Sequence, residues 1–240
     1  MSTPTLLLAD LHLPAQLSPL RDTFINFLEG PATDAGQVYL LGDLFEFWIG
    51  DAEGLQDYAR EVSRLAALTA RGVKVFYMHG NRDFMVGRLF AEISGVEILP
   101  DPLVVDLHGT PTLLSHGDIY CTDDEAYQSW RRFSRRPSAQ WGYRHLPRSL
   151  RARIAGNLRG QSARKVLLPE SIMDVNTAAI EQAFVSHQVQ RMIHGHTHRP
   201  AEHDHGNGCR RIVLADWRPD RAEYLQVDDR GMHRIALPMA

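Results

Sequence analysis

The strongest constraint in this sequence is where its apolar runs stop. Thr5-Leu-Leu-Leu-Ala9 ends at Asp10, Val38-Tyr-Leu-Leu41 at Gly42-Asp43, and Val73-Lys-Val-Phe-Tyr-Met78 at His79-Gly80-Asn81. Short apolar runs bounded by turn residues read as buried strands. Each is followed by a stretch with helical signals. Leu17, Leu20, Phe24, Phe27 and Leu28 recur at helical spacing over 17–28, and residues 55–71 read as a helix closing before Gly72. A third helix is predicted over 84–94. Three successive βα units point to an α/β fold with a mixed sheet.

Beyond residue 95 the pattern changes. Residues 96–115 alternate short strand-like runs with Pro and Gly, which predicts an antiparallel meander. Residues 123–165 are helical in character but punctuated by Pro137, Gly142, Pro147, Gly156 and Gly160, and read as a helical insertion within a single domain over 1–240. A helix over 174–187 precedes the strand Arg191-Met-Ile-His194. Further strands are predicted over 211–215, 222–227 and 233–237.

The chain has 240 residues, 44% of them hydrophobic and 23% charged, which excludes a disordered polyelectrolyte. No apolar run approaches the ~18 residues of a membrane span. Met1 to Thr5 offers no basic segment of the kind that opens a signal peptide. Cys121 and Cys209 are too few for a disulfide framework or a thiolate metal site, so a reducing cytoplasm is expected.

Charge is segregated. Residues 131–165 carry eleven Arg or Lys and no Asp or Glu, leaving 15 basic against 29 acidic residues elsewhere. Such a block suits an anionic partner, and the planar fork of Arg suits phosphate in particular. Nucleic-acid binding would also use such a block, but is not expected here. Leu146, Leu150, Ile154 and Leu158 fall four apart, with Arg148, Arg151, Arg153 and Arg159 on other faces and Trp130, Phe133, Trp141 and Tyr143 nearby. A basic amphipathic helix of this kind fits an anionic membrane surface, and the same apolar stripe would equally pack the insertion onto the main body.

The chemistry lies at the strand ends. In order come Asp10-Leu-His12, Gly42-Asp43, Gly80-Asn-Arg-Asp83, Ser115-His-Gly-Asp118 and Gly195-His-Thr-His198. The carboxyl ends of strands are where ligands gather in α/β folds, so these segments can converge. In an extended segment, Asp-x-His and His-x-His put both side chains on one side. Carboxylate, imidazole and one amide, with no thiolate, favour Mn, Fe or Zn over Ca. Seven ligands (Asp10, His12, Asp43, Asn81, His116, His196, His198) are too many for one tetrahedral ion and suit two ions sharing a carboxylate.

This ordered set resembles the calcineurin-like metallophosphoesterases, whose pattern is D-x-H, G-D, G-N-[HR]-[DE], H and G-H-x-H. The resemblance implies a double β-sandwich flanked by helices. It also implies that Asp10, His12 and His198 hold one metal, that Asn81, His116 and His196 hold the other, and that Asp43 bridges them. Two cations ~3.5–4 Å apart can activate a water and clamp an in-line phosphoryl displacement.

Where many members have histidine after the Asn, this chain has Arg82. Arginine keeps its charge and cannot act as a general acid near neutral pH, but its fork can stabilise phosphate oxygens. That predicts a leaving group needing no proton, as in a phosphoanhydride. Asp83 either orients Arg82 or caps the following helix.

Gly42-Asp-Leu-Phe-Glu-Phe-Trp48, Gly80-Asn-Arg-Asp-Phe84 and Ile172-Met-Asp-Val-Asn176 are similar to the UDP-2,3-diacylglucosamine hydrolase family of lipid A biosynthesis. That resemblance implies cleavage of the pyrophosphate of UDP-2,3-diacylglucosamine to UMP and a diacylglucosamine 1-phosphate. Two Mn²⁺ ions and a peripheral place on the cytoplasmic face of the bacterial inner membrane come with it. Catalytic roles fall on Arg82, Asp43 and His116, and substrate contacts on Asn81, Arg82, Asp124, Ser162, Lys165 and His196. Around Lys165 the family's spacing departs by about one residue. The alternative is a nucleotide pyrophosphatase of the same superfamily that acts on a soluble dinucleotide.

Overall fold

The computed structural model describes residues 3–151, 153, 154, 156 and 174–240. Its first half is a succession of βα units: β1 (Thr5–Leu8), α1 (Pro19–Glu29), β2 (Gln37–Leu41), α2 (Asp51–Asp57), α3 (Ala59–Ala70), β3 (Lys74–Met78), α4 (Arg88–Ser94) and β4 (Glu97–Leu99). Strands β1 to β4 pair in parallel, in sequence order. β10 (Glu223–Asp228) and β11 (Gly231–Ala236) complete this sheet from the C-terminal end, running antiparallel beside β1.

The alternation of side chains explains why these strands are apolar throughout rather than half polar. Leu6, Leu8, Val38, Leu40, Val75 and Tyr77 face the layer of α1, α3 and α4, whereas Leu7, Tyr39, Leu41 and Met78 face a second sheet. Both faces are buried, as parallel strands require.

The second sheet holds β5 (Leu103–Leu107), β6 (Thr110–Ser115), β7 (Arg191–His194), β8 (Ala201–Asp204) and β9 (Arg210–Val213), in the order β5-β6-β7-β9-β8. Leu107, Leu114, Ile193 and Ile212 meet the first sheet in the shared core. On the outer face, Leu113 and Met192 pack under Ile180, Ala183 and Phe184 of α7 (Thr177–His187). Between β6 and β7 the chain also forms α5 (Glu125–Ser134) and α6 (Pro137–Arg144). Among the described residues, no helix is long and apolar enough to cross a membrane. Both cysteines are free.

Three expectations are corrected and one strand is added. The helix read over 55–71 is two helices, broken at Tyr58, whose hydroxyl donates to the Leu13 carbonyl at 2.9 Å while its ring stacks on Trp48. The helix read over 84–94 begins only at Arg88. The Asp51 carboxylate, from α2, accepts the N–H groups of Gly87, Leu89 and Phe90, so a distant side chain caps α4. The meander read over 96–115 divides instead between the sheets: β4 joins β3 in parallel and only β5 and β6 form an antiparallel pair. The edge strand β8 was not anticipated, because its residues Ala-Glu-His-Asp are half exposed and carry no apolar alternation.

Candidate metal centre and adjoining cavity

The strand ends do converge. Parallel pairing continues beyond β1 and β2, with the Asp10 N–H donating to the Gly42 carbonyl at 3.0 Å and the His12 N–H to the Asp43 carbonyl at 2.9 Å. Asp10, His12, Asp43, His196 and His198 all adopt positive φ, between 47° and 70°, and make up five of the eight such non-glycine residues among those described. Left-handed backbone costs a non-glycine residue of order 1 kcal/mol or more, and its concentration here marks a functional site. The extended conformation expected for Asp-x-His and His-x-His is therefore corrected to a left-handed one. The Asp10 carboxylate supplies one reason, since it captures the His196 N–H at 2.6 Å. Glycine serves close approach here as well as turning: a Cβ at Gly80 would overlap the Asp43 carboxylate, and one at Gly195 the Asp10 carboxylate.

Each central carboxylate has one oxygen held by backbone and one aimed into the site. Asp10 Oδ2 accepts from His196 N–H, while its buried Oδ1 makes no hydrogen bond and lies 3.5 Å from His198 Nε2 and 4.0 Å from His12 Nε2. Asp43 Oδ1 accepts from the Arg82 N–H at 2.8 Å. Its Oδ2 lies 4.0 Å from His12 Nε2 and 3.9 Å from His116 Nε2, between the two histidines. His116 Nδ1 donates to the Leu41 carbonyl at 3.0 Å, which turns Nε2 toward Asn81 Oδ1 at 3.1 Å. His12 Nε2 and His198 Nε2 sit only 3.0 Å apart.

Two groups of ligand atoms result, Asp10–His12–His198 and Asp10–Asp43–His116, each with its atoms within 4.8 Å of one another. Asn81 Oδ1 adjoins the second. His196 is placed differently from its partners: its ring lies 5.0 Å from that of His116, centroid to centroid, and leans on Tyr127.

The electrostatics ask for positive charge. Burial pushes Asp43 up to about 7, reinforced by Asp83 and Asp10 and opposed by His116 and Arg82. Burial also works against a charged His116, yet the surrounding Asp43, Asp10, Asp118 and Asp101 lift it to about 9. His12 is driven well below its ordinary value by burial, and His196 to about 4 by burial and the nearby His116. The neutral imidazoles of His12 and His196, an unpartnered buried carboxylate oxygen at Asp10, and carboxylates that draw a proton onto His116 for want of another cation are the donor set of divalent cations. The residues present fit such ions.

Supporting groups that sequence reading passed over now stand out. Glu46, inside the Gly42–Trp48 segment, pairs with the Arg82 guanidinium at 2.7 Å and lies 3.5 Å from His12 Nδ1. Asp216 lies 3.6 Å from His198 Nδ1 and pairs with Arg218 and Arg221. Asp83 neither orients the Arg82 side chain nor caps α4. Its carboxylate accepts the N–H groups of Asp43, Phe45 and Gly80, stitching two ligand loops together. Asp174 and Asn176 belong to the same scaffold, the first pairing with Arg199 and the second capping α7. His194 is buried in β7 and meets Arg211.

Beside the centre opens a cavity of about 760 Å³. Asn81 and Arg82 border it, with Phe47, Trp48, Phe84 and Met85 on one wall and Ala126, Tyr127, Trp130, Phe133, Tyr143, Leu146 and Ile154 on the other. Of the predicted apolar stripe, Leu146 and Ile154 thus face the cavity, Leu150 is 40% exposed, and Leu158 lies outside the described residues. Asp124 caps α5, accepting from the Tyr127 N–H at 2.9 Å. Ser162, Lys165, Ile172 and Met173 lie outside the described residues. The basic block is not one solvated face: Arg131 and Arg135 turn inward to Asp118, and Arg151 to Glu53.

Comparison with known proteins agrees with this geometry. Residues 3–200 match the family described as calcineurin-like phosphoesterase. A protein from Tolumonas auensis called UDP-2,3-diacylglucosamine hydrolase is 45% identical over 239 residues, covering 98% of this chain and 97% of that one. One of the same name from Pseudomonas aeruginosa is 42% identical over 240 residues, covering 98% and 99%. Among solved structures, a dimetal phosphatase from Danio rerio shares the fold with a TM-score of 0.51 at 15% identity, over 99% of both chains. The chain belongs to the calcineurin-like phosphoesterase family and, within it, to the UDP-2,3-diacylglucosamine hydrolases.

Proposed function

We propose that this protein hydrolyses the pyrophosphate bond of UDP-2,3-diacylglucosamine, releasing UMP and 2,3-diacylglucosamine 1-phosphate, with two Mn²⁺ ions held by Asp10, His12, Asp43, Asn81, His116, His196 and His198. The observation that carries this reading is the apolar cavity that opens onto Asn81 and Arg82. The bases of a soluble dinucleotide would stack on Trp and Phe but would not fill the length of wall that runs on to Leu146 and Ile154, whereas acyl chains bury against the whole of it at roughly 25 cal/mol per Å².

Divalent cations, when bound, polarise phosphoryl oxygens and make water nucleophilic at neutral pH. The protein's own groups do the rest. Arg82, tethered by Glu46, presents its guanidinium at the cavity border and steadies the developing negative charge on the phosphates. Attack at the phosphorus next to uridine expels a sugar phosphate, a leaving group that needs no proton donor, and no histidine follows Asn81 to supply one. His116 is oriented by the Leu41 carbonyl on Nδ1, which leaves Nε2 free to face the ions, and Asp43 is oriented by the Arg82 N–H on Oδ1.

In this reading residues 123–165 are a cap inserted into a single domain over 1–240, and Asp124, Ser162 and Lys165 contact the substrate. Exposed Trp130, Phe133 and Trp141 among Arg132, Arg136 and Arg144 suit a peripheral position on the anionic, cytoplasmic face of the inner membrane. A mass-detected reaction in H₂¹⁸O with Mn²⁺ tests the proposal. UMP carrying the label together with unlabelled lipid phosphate is the expected outcome; label in the lipid phosphate, or no UMP, contradicts it.

A further inference from the structure

The two halves of the candidate centre are held by different parts of the molecule. Around Asp10, His12 and His198 the ties come from the main body. The Trp217 N–H donates to the Asp10 carbonyl at 3.0 Å, and Asp216 and Glu46 approach His198 and His12 from behind.

Around Asn81 and His116, Leu41 and Asp83 of the main body are joined by a second set of ties from α5 and its C-cap residue Arg135. Arg135 donates to the carbonyl of Gly80, the residue before Asn81, at 2.8 Å. Arg131 donates to Asp118 Oδ2 at 2.8 Å and to Asp101 Oδ2 at 3.2 Å. Asp101 Oδ1 in turn accepts the His116 N–H at 3.2 Å and the Ser115 hydroxyl at 2.6 Å. The Tyr127 hydroxyl also donates to Asp118. Tyr127 and Arg131 in α5 and Arg135 at its C-cap follow one another at intervals of four, so all three project from one face. Trp130 and Phe133, on a neighbouring face, line the cavity, and the Arg135 guanidinium lies 5.5 Å from the centre of the Phe84 ring in the opposite wall.

We propose that α5 assembles one half of the centre: Arg131 and Arg135 are positioning residues that set cation affinity on the Asn81–His116 side and leave the Asp10–His12–His198 side unchanged. The inference rests on the two-ion reading above. Groups that orient metal ligands from behind typically change metal affinity by ~10–100-fold when removed. Gly80 keeps its Asp83 contact without Arg135, so the loop loses an outer anchor and not its fold.

The test is Mn²⁺ titration followed by electron paramagnetic resonance of the free ion. It compares the wild-type protein with Arg135→Gln, Arg131→Gln and Arg135→Lys, with circular dichroism confirming that each variant folds. Two binding classes are expected in the wild type. In Arg135→Gln and Arg131→Gln one class weakens by ~10–100-fold while the other stays within about twofold. Arg135→Lys, which retains a donor for the Gly80 carbonyl, recovers most of the loss. His116→Ala should abolish the class that Arg135→Gln weakens, and His198→Ala the other. Equal weakening of both classes, or no change in either, overturns the proposal. A wild type with a single class overturns it together with the two-ion reading, whereas two classes in a protein that leaves the lipid uncleaved contradict only the proposed substrate.

Discussion

The two walls of the cavity are built on different principles. The wall from the main body, Phe47 to Met85, is backed by a buried aromatic cluster. Phe45, Trp48, Tyr58 and Phe90 meet with ring centroids 4.3–6.0 Å apart, and Arg21 lies over Tyr58. The wall from α5 and α6 backs onto solvent: Phe133 is 53% exposed and Trp141 65%. Its attachment is largely polar, through Arg131 and Arg135 at one end and Arg151 at the other. Arg151 forks onto Glu53 at 2.6 and 2.9 Å and onto the Ile49 carbonyl at 2.7 Å. One wall belongs to the core, and the other is hung from it by a few charge-assisted ties. A substrate with bulky chains needs a rigid floor for the phosphates and a side that can admit and then hold the chains.

Substitutions that break one wall should therefore behave differently from those that break the other. Trp48→Ala strikes the core-backed wall and should cost about 3–5 kcal/mol of stability, read by chemical denaturation. Glu53→Gln strikes a tie. It leaves the Arg151 guanidinium without its carboxylate, at a cost of about 2 kcal/mol, and should raise KM for the lipid more than it lowers kcat for a small phosphodiester. Phe133→Ala removes apolar surface that is exposed in the free protein. Its stability should change by less than about 0.5 kcal/mol, while KM for the lipid rises about tenfold if the ring buries against a chain.

The smallest effect concerns pH. Burial opposes charge on Asp118, but His116, Arg131 and Arg135 outweigh it and hold its carboxyl below the ordinary range. A lowered carboxyl contributes stability that is fully present above its unfolded value and is lost as pH falls through the folded one. The melting-temperature gap between wild type and Asp118→Asn should thus stay flat from pH 7 to 5 and narrow only below the ordinary carboxylate range.

The contrast between the walls also separates what the sequence makes legible from what it hides. The residues of the centre could be read because each lies at the end of an apolar run, and the order of such runs is a property of the chain. Asp10, Asp43, Asn81 and His116 come together because strands β1, β2, β3 and β6 all end at one edge of the sandwich. Glu46 and Asp216 were missed since their importance depends on which histidine they meet after folding. The arginine block looked like one basic face because periodicity does not reveal whether a carboxylate waits beneath. Asp118 and Glu53, far apart in sequence, turn three of those arginines inward. Tyr58 broke a helix whose spacing was unbroken, for the sake of a hydrogen bond to Leu13 that no local pattern predicts.

The most direct test of the account compares kcat/KM, in Mn²⁺, for UDP-2,3-diacylglucosamine, the same UDP-sugar without acyl chains, and a soluble dinucleotide such as diadenosine tetraphosphate. Strand-end chemistry served by an apolar cavity predicts that the diacylated substrate exceeds both others by at least about a hundredfold, the equivalent of ~3 kcal/mol of chain burial. Equal values for the acylated and chain-free sugars, or a preference for the dinucleotide, would contradict it.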